Sequence, residues 1–295
     1  MARFLLGLVV LGALIAAGGL WITRPATVDA ELYADLAPDP ERGARVFTAA
    51  GCASCHAAPD AEGEAKLVLA GGQRFPSEFG TFLAPNISSD PEAGIGDWSL
   101  TEFASAVTLG TSPDGAHYYP AFPYTSYTHL APQDVTDLWA HMQTLPADPT
   151  PSQPHEIGFP FSIRASLGGW KLLYLDDSYV MTDPEGDTLL RGRDLVEALA
   201  HCGECHTPRT ALGGLDRSRW LAGAPNPSGK GTIPALTPDE LTWSETDIAY
   251  YLETGFTPDY DSAGGHMVAV IENFAKLSAD DRAAVAAYLK ALPGS

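Results

Sequence analysis

The stretches Cys52-Ala53-Ser54-Cys55-His56 and Cys202-Gly203-Glu204-Cys205-His206 use all four cysteines of the chain. Each is a C-x-x-C-H motif, the attachment signature of c-type haem. The spacing follows from the chemistry. Two thiols add across the two vinyl groups of a porphyrin, and the adjacent histidine is then held under the iron as its proximal ligand. Competing uses of the cysteines explain less. Cysteines this close rarely pair as structural disulfides, and a disulfide leaves the following histidine without a role. A four-thiolate zinc site would have to join halves about 145 residues apart. A thioredoxin-like motif needs a βαβ setting, whereas helical patterns precede both of these motifs. Two covalently bound haem c groups are therefore expected, one on Cys52, Cys55 and His56, the other on Cys202, Cys205 and His206.

Working outward, the two motifs head two copies of one pattern. Glu41-Arg42-Gly43-Ala44-Arg45-Val46-Phe47 precedes the first and Arg191-Gly192-Arg193-Asp194-Leu195-Val196 the second, each reading as a short amphipathic helix. Ala84-Pro85-Asn86-Ile87 answers Ile233-Pro234-Ala235-Leu236, and Trp98-Ser99-Leu100 answers Trp243-Ser244-Glu245. Gly110 and Gly255 each follow their Trp by twelve residues, where they would close a helix. Thr128–Leu145 and Lys276–Leu292 show apolar residues at helical spacing, followed by Pro146 or Pro293. In the second, Ser278 reads as an N-cap of a helix over Ala279–Leu292 that buries Val285, Tyr288 and Leu289. Strand signals are scarce, so the fold is expected to be all-α. Gly71-Gly72 and Gly213-Gly214 read as loop turns rather than nucleotide-binding loops.

The expected organisation is a membrane anchor or signal segment over 1–24, a linker over 25–40, a first haem domain over 41–148, an interdomain linker over 149–184 and a second haem domain over 185–295. The Pro- and Gly-rich interdomain stretch contains Trp170-Lys171-Leu172-Leu173-Tyr174-Leu175, which is expected to pack against a domain or a partner. At the N-terminus the apolar run Phe4–Ile22 is long for a signal peptide and nearly spans a ~30 Å hydrocarbon core. Cleavage after Val28-Asp29-Ala30 is the alternative to an uncleaved anchor, which the length favours. Either way the bulk of the chain is exported, with Arg3 left in the cytoplasm. Seventeen Lys and Arg against 37 Asp and Glu give a net charge of -20, which argues against nucleic-acid binding, because such a chain repels phosphate.

An electron-transfer cytochrome closes the sixth iron position with Met or His. In the second copy the loop Gly264-Gly265-His266-Met267 supplies Met267. In the first, Ala116-His117-Tyr118-Tyr119-Pro120-Ala121-Phe122-Pro123-Tyr124 has no Met. Aligning the loops on Gly115 and Gly265 brings His117 within one position of His266, and His117 is the favoured ligand. His129, Met142 and an iron with an open sixth position stay as alternatives. His129, His141, His155 and His201 otherwise read as surface or capping residues. Axial Met raises the potential and bis-imidazole ligation lowers it, so with His117 bound electrons would run from the first haem to the second.

The chain resembles the membrane-bound multihaem cytochrome c subunit of bacterial alcohol, aldehyde and gluconate dehydrogenases and its diheme relatives. The residues that carry the likeness are Phe79-Gly80-Thr81-Phe82 through Ile87, Gly94-Ile95-Gly96-Asp97-Trp98-Ser99, Tyr119-Pro120-Ala121-Phe122-Pro123-Tyr124, His201 through Arg209, and Gly265-His266-Met267. The resemblance implies two tandem cytochrome c-like domains behind an N-terminal transmembrane helix, facing the periplasm at the bacterial inner membrane. It implies electrons accepted from a dehydrogenase subunit or other donor and passed to a quinone, a cytochrome or an oxidase-side carrier. It also implies that Pro85 and Pro234 accept a hydrogen bond from the proximal histidines. Two features depart from the family: the dehydrogenase subunits typically carry three C-x-x-C-H motifs, and they tend to carry Met where Phe122 stands. No catalytic residue is expected on this reading. The rival expectation is a haem enzyme or sensor, peroxidase-like, built on an open first iron.

Overall fold

The computed structural model describes residues 2–293 except 228 and 230; Met1 and the last two residues, which the expected limits 1–24 and 185–295 include, lie outside the described residues. Helix α1 (Ala2–Ile22) projects with none of its residues buried. Its 21 residues reach about 31 Å at 1.5 Å each, and among the described residues it is the one helix long and apolar enough to cross a membrane.

The first repeat begins with α2 (Pro40–Ala50), which Asp39 caps by accepting from the Glu41 and Arg42 amides; Pro40 suits its first turn, where an N–H has no partner to lose. Left-handed Gly51 ends α2 and starts α3 (Cys52–His56), so the haem motif is fixed directly to a core helix. A hairpin of β1 (Arg74–Ser77) and β2 (Gly80–Leu83) follows. Then come α4 (Leu100–Leu109), α5 (Tyr124–Tyr127) and α6 (Pro132–Met142). Strand β3 (Glu156–Ile157) adds to β2, pairing Gly80 with Ile157, and α7 (Ser166–Tyr174) closes the linker.

The second repeat runs α8 (Asp187–Arg193), a π-helical turn over Asp194–Leu199, α9 (Gly203–His206), the short pair β4 (Ala224–Pro225) and β5 (Thr232–Ile233), α10 (Glu245–Thr254), α11 (Met267–Phe274) and α12 (Ala279–Ala291). The architecture is thus helical, with strands of two to four residues confined, among the described residues, to two small sheets. Ser99 with Glu102, Ser244 with Asp247 and Ser278 with Asp281 form capping boxes, and Gly110 and Gly255 close α4 and α10 in left-handed conformation, as their spacing predicts. Two helix limits differ from expectation. The Thr128–Leu145 pattern yields α6 only from Pro132, because proline resets the start at its own position. The last helix stops at Ala291, and Leu292 is extended as its C-cap.

Each repeat is held by one close helix crossing, α2 on α6 and α8 on α12. Glycine permits both. A Cβ on Gly43 would lie 2.5 Å from the Asp137 carbonyl carbon, and one on Gly192 2.8 Å from the Tyr288 Cβ. Around the first crossing pack Val46, Phe47, Phe103, Val135, Leu138 and Met142; around the second, Leu195, Val196, Ile248, Val285, Tyr288 and Leu289. Each core also buries one carboxylate whose lone pairs are taken. Asp137 accepts from the Asp39 amide, Gln133 and Arg42; Glu197 accepts from the Val180 and Met181 amides and from the Tyr288 hydroxyl.

The aromatic stretch of the linker packs as expected. In α7, Lys171 donates to the carbonyls of Leu109 and Gly110 at the end of α4, while Trp170 donates to Leu212 O and Tyr174 bonds Thr210 across in the second repeat. Helix α7 is therefore a tie between the repeats.

Candidate haem sites

Both motifs sit on one-turn helices, α3 and α9, that continue from a core helix of their repeat. His56 Nδ1 lies 2.9 Å from Pro85 O, and His206 Nδ1 lies 2.8 Å from Pro234 O. A carbonyl only accepts, so each Nδ1 carries the proton and each Nε2 presents its lone pair, the form that binds a metal. Burial lowers the pKa of both imidazoles, which keeps that lone pair free of a proton at neutral pH. The loops carrying the two prolines are held in the same way in both repeats. The Gly71 amide donates to His56 O and the Ile87 amide to Leu69 O; the Gly223 amide donates to His206 O and the Leu236 amide to Leu221 O. Gly71 and Gly223 are both left-handed, and a Cβ on either would strike the backbone of the proline-bearing segment.

None of the four thiols is in a disulfide. Packing pushes Cys52 and Cys202 up to about 12 and Cys55 up to about 11, although Cys55 and Cys205 each keep an exposed edge. Burial is the main cause of the Cys55 shift, with Cys205 adding to it. Paired thiols beside an imidazole with a tethered Nδ1 and a free Nε2 fit a covalent haem in each repeat.

The third residue of each motif reaches into the other repeat. Ser54 accepts a 3.0 Å hydrogen bond from Asn273 of α11, and Glu204 accepts one of 2.9 Å from the hydroxyl of Thr125 in α5. Lys66 pairs with Glu272 at 2.9 Å. His201, read from sequence as a surface or capping residue, instead lies between the repeats with its ring 5.7 Å from that of Tyr127. Burial lowers its pKa. No spacing in a single sequence marks these cross-repeat partners, since each pair is made by residues more than 70 positions apart.

The distal loops have a common backbone. The amides of Tyr118 and Ala263 donate to Gly110 O and Gly255 O, those of Ser112 and Thr257 to Ala116 O and Asp261 O, and the bridges Thr111 to His117 and Phe256 to Ser262 coincide. From Trp98 and Trp243 onward the copies thus match residue for residue, without a gap, to Tyr118 and Ala263. This corrects the alignment on Gly115 and Gly265. His117 corresponds to Ser262, not to the neighbourhood of His266, because the carbonyl pairing fixes the register and Gly115 pairs with Tyr260.

Met267 opens α11, half-buried against the core cluster. His117 is buried, but its Nε2 lies 2.9 Å from Thr23 O at the exit of α1, and its carbonyl accepts from Arg164. Its Nδ1 is buried without a partner. His129 places both nitrogens on carbonyls, of Ser126 and Ser178, and Met142 is buried in the α2–α6 core.

Comparison with known proteins agrees with this architecture. A family model described as cytochrome c matches residues 40–146 and again 189–293. A diheme cytochrome c-type protein of Cereibacter sphaeroides is 56% identical over 293 residues, covering 99% of both chains. The fructose dehydrogenase cytochrome subunit of Gluconobacter japonicus is 38% identical over 87% of this chain and 53% of its own length, and the gluconate 2-dehydrogenase cytochrome c subunit of Pantoea cypripedii is 34% identical over 85% and 59%. The chain therefore spans the whole of the first relative and little more than half of the dehydrogenase subunits. With one cytochrome c unit in each repeat and a tethered imidazole beside two unpaired thiols in each, the chain belongs to the cytochrome c family and carries two covalently bound haem c groups.

Proposed function

We propose that this protein relays single electrons from a dehydrogenase subunit to a quinone, a cytochrome or an oxidase-side carrier at the bacterial inner membrane, with α1 as an uncleaved anchor and both haem domains in the periplasm. The observation that carries the reading is the mutual placement of the two motifs. Their third residues are clasped by the opposite repeat, which supports two redox centres at one interface. The haems supply one-electron iron chemistry. Cys52, Cys55, Cys202 and Cys205 form the thioether links, His56 and His206 are the proximal ligands, and Met267 closes the second iron. Pro85 O and Pro234 O orient the imidazoles and raise their basicity. The net charge of -20 suits a donor or acceptor with a basic face. The relatives named as dehydrogenase cytochrome subunits support a dehydrogenase as the donor.

The full chain in detergent, oxidised, is mixed in a stopped-flow cell with a dehydrogenase lacking its cytochrome subunit and already reduced by its own substrate, and separately with quinol. Rapid haem reduction by the dehydrogenase, followed by reoxidation with excess quinone, is expected. Haems that dithionite reduces fully but that neither partner reduces would refute the relay.

A further inference from the structure

Helix α1 joins the rest of the chain at Thr23, whose carbonyl accepts from His117 Nε2 at 2.9 Å. A Cβ on Gly168 of α7 would lie 2.7 Å from the Thr23 Cβ, so α7 runs directly beside the exit of α1. Arg164, just before α7, donates to His117 O at 2.9 Å and completes the junction. Trp21 is exposed on the last turn of α1, with the Arg24 guanidinium 5.0 Å from the centre of its ring. An aromatic and a basic residue at the end of an apolar helix mark the headgroup level of a bilayer. The residues packed on Thr23 therefore stand at the depth of the membrane surface.

Beside that exit the chain carries an apolar surface left uncovered among the described residues. In the turn before α7, Phe159, Phe161 and Ile163 are exposed, Phe159 by 83%, and on α7 itself so are Leu172 and Leu173. Helical spacing divides α7 into three faces. Leu167, Gly168 and Lys171 are buried, Trp170 and Tyr174 bond to the second repeat, and the remaining face presents Leu172 and Leu173. Leu172 lies four residues beyond Gly168 and is thus its neighbour on the helix surface, one turn from Thr23. The turn is held in place: the Tyr119 hydroxyl donates to Phe161 O, and the Phe79 ring stands edge-on 5.0 Å from that of Phe161. From Ile157 to Leu175 there is no Asp or Glu, in a chain that has 37 of them in 295 residues, and the charged residues are Arg164 and Lys171. An anionic lipid surface accepts that composition and repels the acidic remainder of the chain.

We propose that Phe159, Phe161, Ile163, Leu172 and Leu173 insert into the headgroup region of the bilayer that α1 spans, as a second contact with lipid that lies on the membrane without crossing it. The occupant is the lipid surface because the patch is continuous with the exit of α1, at the height that Trp21 and Arg24 set. Segments of this kind sink about 5–10 Å into the headgroup boundary. One helix and a short connection leave the haem domains free to turn about it; a second contact fixes which of their faces meets the membrane. The proposal rests on the reading of α1 as an uncleaved anchor.

The test uses the full-length diheme protein in vesicles of phosphatidylethanolamine and phosphatidylglycerol, with a phospholipid that carries a photoactivatable diazirine near its headgroup. After irradiation, mass spectrometry of peptides reads the lipid label on α1 and on 157–175 separately, and both should carry it. Phe159→Asp combined with Leu172→Asp changes exposed positions only; it should lower the label on 157–175 roughly fivefold or more and leave the label on α1 and the haem spectrum unaltered. Label on α1 with none on 157–175 would overturn the proposal and leave the anchor standing, and so would undiminished label in the double variant. No label on α1, with release of the chain by alkaline carbonate, would remove the anchor and the proposal with it. If 157–175 takes no lipid label but gains hydrogen-exchange protection when a dehydrogenase lacking its cytochrome subunit is added, the patch is a protein interface and the proposal fails.

Discussion

Replacing Gly43 with alanine isolates the helix crossing on which the first haem site stands. In an exposed helix this change stabilises by about 0.8–1 kcal/mol, because alanine restricts the unfolded chain and suits the helix. At Gly43 the new methyl would lie 2.5 Å from the Asp137 carbonyl carbon and 2.8 Å from the His141 Cβ, against the 3.4 Å where ordinary contact begins. The obstacle is mainly α6 backbone, which has no rotamer to change, so α2 and α6 must part by close to an ångström. Overpacking of this kind costs about 1–3 kcal/mol, and a rigid obstacle favours the upper end. Offsetting the propensity gain leaves a net loss of about 2 kcal/mol. For a domain near 100 residues that is a fall in Tm of roughly 8–15 °C. Thermal unfolding followed by circular dichroism in the haem absorption band reads the effect where it matters, at the motif attached to α2. Gly192→Ala should behave alike in the second repeat, where the added atom meets the Tyr288 Cβ at 2.8 Å. Gly169, also helical but with open space around its Cβ position, is the matched control, and its alanine variant should be slightly stabilised. A Gly43→Ala protein melting at or above the wild type would refute the claim that backbone contact sets the α2–α6 crossing.

Removing both thiols of one motif, Cys52→Ala with Cys55→Ala, should halve the haem content per chain by pyridine haemochrome assay and leave the second haem's spectrum unaltered. Glu197→Gln keeps the shape of a carboxylate but replaces one acceptor oxygen, leaving a Val180, Met181 or Tyr288 donor unpaired; a loss of about 1–3 kcal/mol in denaturant unfolding is expected. Burial lowers the Lys171 ammonium from 10.5 to about 8. Between those values the unfolded chain holds more protons than the folded one, so stability rises with pH there, by about 3 kcal/mol at most, and below pH 8 the buried charge exerts its full cost. Lys171→Met should flatten that rise when unfolding free energies of the two proteins are compared across the same pH range; parallel curves would show that the ammonium is not held as described.

The sequence by itself determined what is covalent and local. Thiols three positions apart followed by histidine name the cofactor, because porphyrin geometry allows little else. Serine with an acidic residue three positions on, and glycine after the last turn, delimit helices through hydrogen bonds made within a few residues. The duplication was legible because both copies keep the same local signals at Trp98 and Trp243 and at Pro85 and Pro234. Tertiary structure decided whatever depends on residues far apart in the chain. It clasped Ser54 to Asn273 and Glu204 to Thr125, brought His201 against Tyr127, and carried His117 to the end of α1. It also set the register of the distal loops, which glycine matching misread by several positions. Glycine is common in loops for many conformational reasons, whereas a backbone amide must find one particular carbonyl; that pairing, visible only once the chain is folded, is what sets His117 opposite Ser262 in the two copies.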